Sequence, residues 1–89
     1  MVVIGTRLHV SNIAPDVHED DLRSLFDADG RRVAEVTIVT DGESGQSRGY
    51  GVVRMGSVRD ALAAIAALDG LEVDGQALQV SQVRERFPG

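Results

Sequence analysis

Arg48, Tyr50, Val52 and Arg54 occupy alternate positions of Ser47-Arg48-Gly49-Tyr50-Gly51-Val52-Val53-Arg54-Met55. Side chains alternate along a strand, so if Val53 and Met55 enter a core, those four point out on the opposite face. A guanidinium can bind a phosphate bidentately, a phenol ring can stack on a base, and the glycines let a ligand's backbone come close. Such a face suits a single strand of nucleic acid, which offers phosphates and unstacked bases together.

A net charge of −5 argues against a polyanionic partner only if the charge is spread evenly. Residues 16–30 hold six acidic groups (Asp16, Glu19, Asp20, Asp21, Asp27, Asp29) against Arg23, while eight acidic and eight basic groups balance elsewhere. The whole excess therefore sits in one segment. All nine cations are Arg, a bias that base stacking and phosphate binding favour and that codon usage produces equally well.

The elements that must position this face follow from periodicity. Leu8 and Val10 alternate with Arg7 and His9 in a first short strand, closed by Ser11, Asn12 and Pro15. Leu22, Leu25 and Phe26 recur at helical spacing, Glu19, Asp20 and Asp21 fill the first turn, and Gly30 is the expected stop. Val36 and Ile38 mark a second strand, with Glu35, Thr37 and Val39 on its outer side, and the turn-rich residues 41–47 join it antiparallel to the third. Ser57 and Asp60 have capping-box spacing before a second helix, whose apolar stripe is read as Val58, Ala61, Leu62, Ile65 and Leu68, ending at Gly70. After Gly75 a last strand turns Leu78 and Val80 inward and Gln79 and Ser81 outward.

Two βαβ-like halves with right-handed crossovers put both helices on one side of a single sheet. The acidic helix then lies behind the sheet and the arginines Arg7, Arg48 and Arg54 on or beside the strands. At 89 residues there is room for one domain. The absence of Cys excludes disulfides, thiolate metal sites and thiol nucleophiles, and makes a reducing cytoplasm the expected compartment. No apolar run reaches membrane-spanning length and no leader is read at the N-terminus, so no membrane partner is expected.

These residues resemble the RNA recognition motif family, and within it the small single-domain bacterial RNA-binding proteins. Arg48-Gly49-Tyr50-Gly51-Val52-Val53-Arg54-Met55 is similar to the family's octamer motif, and Leu8-His9-Val10-Ser11-Asn12-Ile13 to its hexamer motif. Supporting similarities are Leu22 with Leu25 and Phe26, Asp41 with Ser44 and Gly45, and Ala61, Ile65, Leu68, Gly75 and Val80. The resemblance covers residues 6–84, taken as the domain, with residues 85–89 as a short C-terminal tail. It implies an α+β, ferredoxin-like βαββαβ sandwich whose four-stranded antiparallel sheet has the order four-one-three-two, with two helices on one face.

The resemblance further implies that His9, Tyr50 and Val52 fall on the three platform positions, with Val52 replacing an aromatic ring. The expected partner is single-stranded RNA, with single-stranded DNA as the related polymer, and binding is expected to be weak. Arg48 is assigned to phosphate, His9 assists Tyr50, and Gly49 and Gly51 admit the ligand backbone. Asn12, Thr37 and Val39 border the site, Gln79, Ser81 and Gln82 offer base-edge contacts, and Arg84 and Arg86 extend from the tail. Arg54 is read first as a partner of Glu35 or Asp41, and second as part of the site.

The competing readings come from other classes. Losing one platform ring and carrying an acidic helix fit a protein-interaction module on a degenerate scaffold of this kind, and exposed Val52 and Val39 fit self-association. Small hydrolases of the acylphosphatase kind share the topology, yet only Arg7 hints at them, and no nucleophile elbow or phosphate loop is present. Neither His18-Glu19-Asp20-Asp21 nor Asp27-Ala28-Asp29-Gly30 supplies a full set of metal ligands, so no cofactor is expected.

Overall fold

Period-2 patterning gives each main strand one apolar face, on which Leu8, Val10, Ile38, Val53, Met55 and Val80 are all buried, with Leu78 buried just before the last strand. The computed structural model describes the backbone of residues 2–86 and the side chains of residues 5–83. In chain order it contains β1 (Val2–Ser11), α1 (Glu19–Phe26), β2 (Val33–Thr40), β3 (Ser47–Met55) and α2 (Val58–Leu68), followed by the short β4 (Glu72–Val73) and β5 (Gln76–Ala77), and finally β6 (Gln79–Arg86). The four long strands form one antiparallel sheet in the order β2-β3-β1-β6, the expected four-one-three-two. Leu22 and Phe26 of α1 and Ala61, Ala64 and Leu68 of α2 join the buried cluster against one face, which leaves the other open.

Both central strands carry their apolar residues as expected, but β1 is longer than its alternating core. Its ladder with β6 includes Val2 opposite Arg86 and Val3 opposite Glu85, so pairing continues on both sides of residues 6–84. The register breaks between Ile4 and Leu8, where the Gly5 carbonyl accepts a hydrogen bond from the Gln82 side chain at 3.2 Å.

Helix α1 stops at Phe26, short of Gly30. The Asp27 N–H closes the last turn on the Arg23 carbonyl at 2.8 Å, and a 3-10 turn (Ala28–Gly30) then reverses the chain through positive φ at Asp29 and Gly30. That reversal brings Arg31 back beneath the helix. Its guanidinium is buried and donates from Nε to the Phe26 carbonyl at 3.0 Å and from Nη2 to the Leu25 carbonyl at 2.8 Å. A cation there satisfies carbonyls that a helix end leaves open and complements the negative end of the dipole.

In α2, Ser57 accepts the Asp60 N–H at 3.1 Å, as its spacing predicts. The apolar stripe is rotated from the expected one: Ala61, Ala64 and Leu68 are buried, whereas Val58 and Leu62 face solvent. Two alanines against the sheet let the helix lie close, and that orientation moves the larger residues to its flank. The β4–β5 hairpin was not anticipated, because two-residue strands carry no periodic signal. The sign that announces it is Asp74-Gly75, both at positive φ, which is what a tight two-residue hairpin turn requires.

Carboxylates from the helix layer satisfy amides on both outer strands. Glu19 accepts the Ile38 N–H of β2 at 2.9 Å, and Asp69 accepts the Val80 N–H of β6 at 2.9 Å. Exposed edge amides invite pairing with another chain, so these contacts blunt both sides of the sheet.

Candidate nucleic-acid interface

Strand pairing lays the outward residues in rows. Ser81, His9, Val52 and Thr37 stand opposite one another across β6, β1, β3 and β2; Gln79, Ser11 and Tyr50 make the row on one side of this one, and Arg7, Arg54 and Glu35 the row on the other. His9 and Tyr50, diagonal neighbours on the central strands, stack with ring centroids 6.1 Å apart and planes inclined by 27°. Tyr50 is 38% and Val52 37% exposed, so an apolar and aromatic surface lies open at the middle of the sheet. Its geometry can receive flat rings.

The charges around this centre are held in weak pairs. Arg48 lies 3.6 Å from Asp41, and Arg54 lies 3.4 Å from Glu35, all four side chains being largely in solvent. Asp41 is set by the turn between β2 and β3: it accepts the N–H groups of Glu43 at 2.8 Å and Ser44 at 3.2 Å. Those amide bonds hold its carboxyl below the usual aspartate value; desolvation opposes them by less, and Arg48 adds a lesser push in the same downward direction. Exposed ion pairs contribute little, so a phosphate can displace either carboxylate at small cost.

Two expected members, Asn12 and Gln79, have other attachments. Asn12, at φ 59°, donates from its amide to the Ala77 carbonyl at 2.8 Å and accepts from Gln76 at 3.1 Å, which ties the end of β1 to the β4–β5 hairpin. Gln79 accepts from Ser11 at 3.1 Å, while Ser81 is exposed beside His9. Thr37 is exposed, but Val39 is half-buried, next to an irregularity in the β2–β3 ladder between Ile38 and Thr40. The side chains of Arg84 and Arg86 lie outside the described residues.

The glycines divide the two tasks given to them. A Cβ on Gly51 would collide with the Thr37 carbonyl and crowd the Ile38 Cα, so this glycine serves the close approach of β2 and β3 and admits no ligand backbone. Gly49 has φ +81° and its carbonyl accepts the Ile13 N–H at 2.9 Å. Its freedom is spent on backbone shape. Alternation puts Glu35 on the outer side of β2, but only the register sets it opposite Arg54, and Ser11, read from sequence as closing β1, stands on the open face opposite Tyr50.

A larger depression of about 440 Å³ lies off this face, between α1 and β2, lined by His18, Glu19, Asp20, Ile38, Thr40 and Ser47. Volume is a poor guide for an extended ligand that lies across a sheet. One of its carboxylates is employed in the fold, Glu19 holding the Ile38 N–H, and the neighbouring Asp21 accepts the His18 N–H at 2.9 Å.

One sheet, two helices behind it and an open face with a central ring pair define a single-sheet recognition module. The chain belongs to the RNA recognition motif family, whose profile matches residues 8–79. That family consists of RNA-recognition domains and not of enzymes, which removes the hydrolase alternative. The chain is similar to the 29 kDa chloroplast ribonucleoprotein A of Nicotiana sylvestris, at 39% identity over 94% of this chain but only 30% of that protein. With the protein named RbpA of Nostoc sp. it shares 42% identity over 89% of this chain and 76% of the relative. Among solved structures, the Sxl-lethal protein/RNA complex superimposes with a TM-score of 0.84 and 33% identity, covering 96% of this chain and 49% of that one.

Proposed function

We propose that the open sheet face binds short single-stranded RNA, and binds it weakly. The observation that carries this reading is the stacked His9–Tyr50 pair, central and solvent-facing, with Arg48 and Arg54 beside it in exposed ion pairs. Tyr50 stacks on one base, His9 supports the adjoining surface, and Arg48 exchanges Asp41 for a phosphate. Ser81 and Gln79 meet base edges on β6. Val52 supplies contact area but no ring. A base stacked on an aromatic side chain gains ~1–3 kcal/mol, so this substitution weakens binding by roughly 5- to 150-fold. Family membership and the ribonucleoprotein and RNA-complex names among its relatives support the polymer assigned.

Fluorescence anisotropy with a mixed pool of short RNA at low salt tests the reading. Binding that Tyr50→Ala removes in large part is the expected result. Binding that ignores Tyr50, or none even at low salt, overturns it and favours a protein partner.

A further inference from the structure

Glu35 poses a problem for a surface that receives phosphates, because a carboxylate there repels them. Its surroundings resolve the problem. Between β2 and β3 the open face has a shallow depression of about 90 Å³ lined by Glu35, Thr37, Val52 and Arg54. Thr37 is the cross-strand partner of Val52, and Glu35 of Arg54, so the four side chains close a square with an apolar corner and three polar ones. Val52 belongs to the row next to Tyr50, roughly 6.7 Å along the same strand, a spacing that a neighbouring nucleotide can bridge.

Building on the RNA-binding reading, we infer that this depression is a guanine-selective subsite, in which Val52 supports the ring face while Glu35 and Arg54 read its edge. A carboxylate only accepts hydrogen bonds, and a guanidinium only donates them. Guanine presents two adjacent donors, N1–H and the N2 amino group, with the O6 acceptor beside them. The donors match the two oxygens of Glu35, and O6 matches Arg54. Adenine and cytosine offer a single amino donor next to a ring-nitrogen acceptor, which sets a lone pair against the carboxylate. Uracil flanks its one N–H with two carbonyl oxygens and fits worst.

The resting pair is suited to the task. Arg54 Nη2 donates to Glu35 Oε2 at 3.4 Å, a long contact between side chains that are 46% and 63% exposed, so opening it for a base loses little. The charges also neutralise each other before the ligand arrives, which limits repulsion of the incoming strand.

The test uses uridine pentamers that carry guanosine, adenosine, cytidine or inosine at each position in turn, measured by anisotropy. One position should prefer guanosine by roughly 5- to 20-fold, and inosine, which lacks the N2 amino group, should lose most of that gain. Glu35→Gln should abolish the preference while binding the plain uridine pentamer somewhat more tightly, since a negative charge has gone; Tyr50→Ala should weaken every pentamer alike. Equal affinity for all the pentamers, still sensitive to Tyr50→Ala, overturns the subsite and leaves the RNA reading standing. A preference that survives Glu35→Gln also overturns it, and no binding by any pentamer overturns both.

Discussion

Val52 is where the platform is thinnest. It sits between His9 and Thr37 in its row, 37% exposed, with its side chain directed to solvent, so a larger group there has room to grow outward. Val52→Phe is therefore expected to tighten binding of a short RNA by roughly 5- to 150-fold, the gain of one base–aromatic stack. Anisotropy with the same oligonucleotide pool measures this, and an unchanged affinity would mean that bases do not pass over β3. Position 52 was legible because alternation assigns every residue of a well-patterned strand to a face. Gly51 was not, since its role depends on how near Thr37 lies on a neighbouring strand. Asn12 misled for the same reason: a polar residue at a strand end looks available until the hairpin that occupies its amide is in place.

At the scale of elements, the long strands and both helices follow from period and cap residues, while their ends follow from contacts distant in space. Arg31 is the clearest case. Nothing in its immediate neighbours marks it as a buried cap, because it reaches back five and six residues to the final carbonyls of α1. Replacing it with Met keeps most of the apolar stem but leaves the Phe26 and Leu25 carbonyls without those donors. Hydrogen bonds to a charged group contribute about 1.5–3 kcal/mol, so Arg31→Met should destabilise the fold by that order. For a domain of this size the midpoint of thermal unfolding should fall by roughly 6–24 °C. A midpoint within about 2 °C of the parent would show that the buried guanidinium does not anchor the helix end. The stripe of α2 was misplaced because both rotations of an alanine-rich helix satisfy the same spacing, and packing on the sheet chose the one that buries Ala64 and exposes Leu62.

Across the whole molecule, a chain with a net charge of −5 can bind a polyanion only if its charges are sorted by face. Segregation was readable from sequence, since the acidic excess falls on residues 16–30 and the crossover rule sends that helix behind the sheet. In the fold, Glu19 of α1 is bonded to the β2 edge and Asp21 to the start of its own helix, while Arg7 and Arg54 stand on the open face and Arg48 beside Asp41 of the β2–β3 turn. Local charge, not net charge, should then govern the salt response. With two to three arginine–phosphate contacts on a single strand, the slope of log affinity against log salt is expected to be about −1.4 to −2.1. Arg48→Ala should make it shallower by about 0.7, one contact's share. Asp20→Ala with Asp21→Ala changes the net charge more than Arg48→Ala does, yet should leave the slope in place, because those carboxylates project from the far side of the sheet. If the acidic pair moves affinity as far as Arg48 does, net charge governs association and the two faces are not electrically distinct.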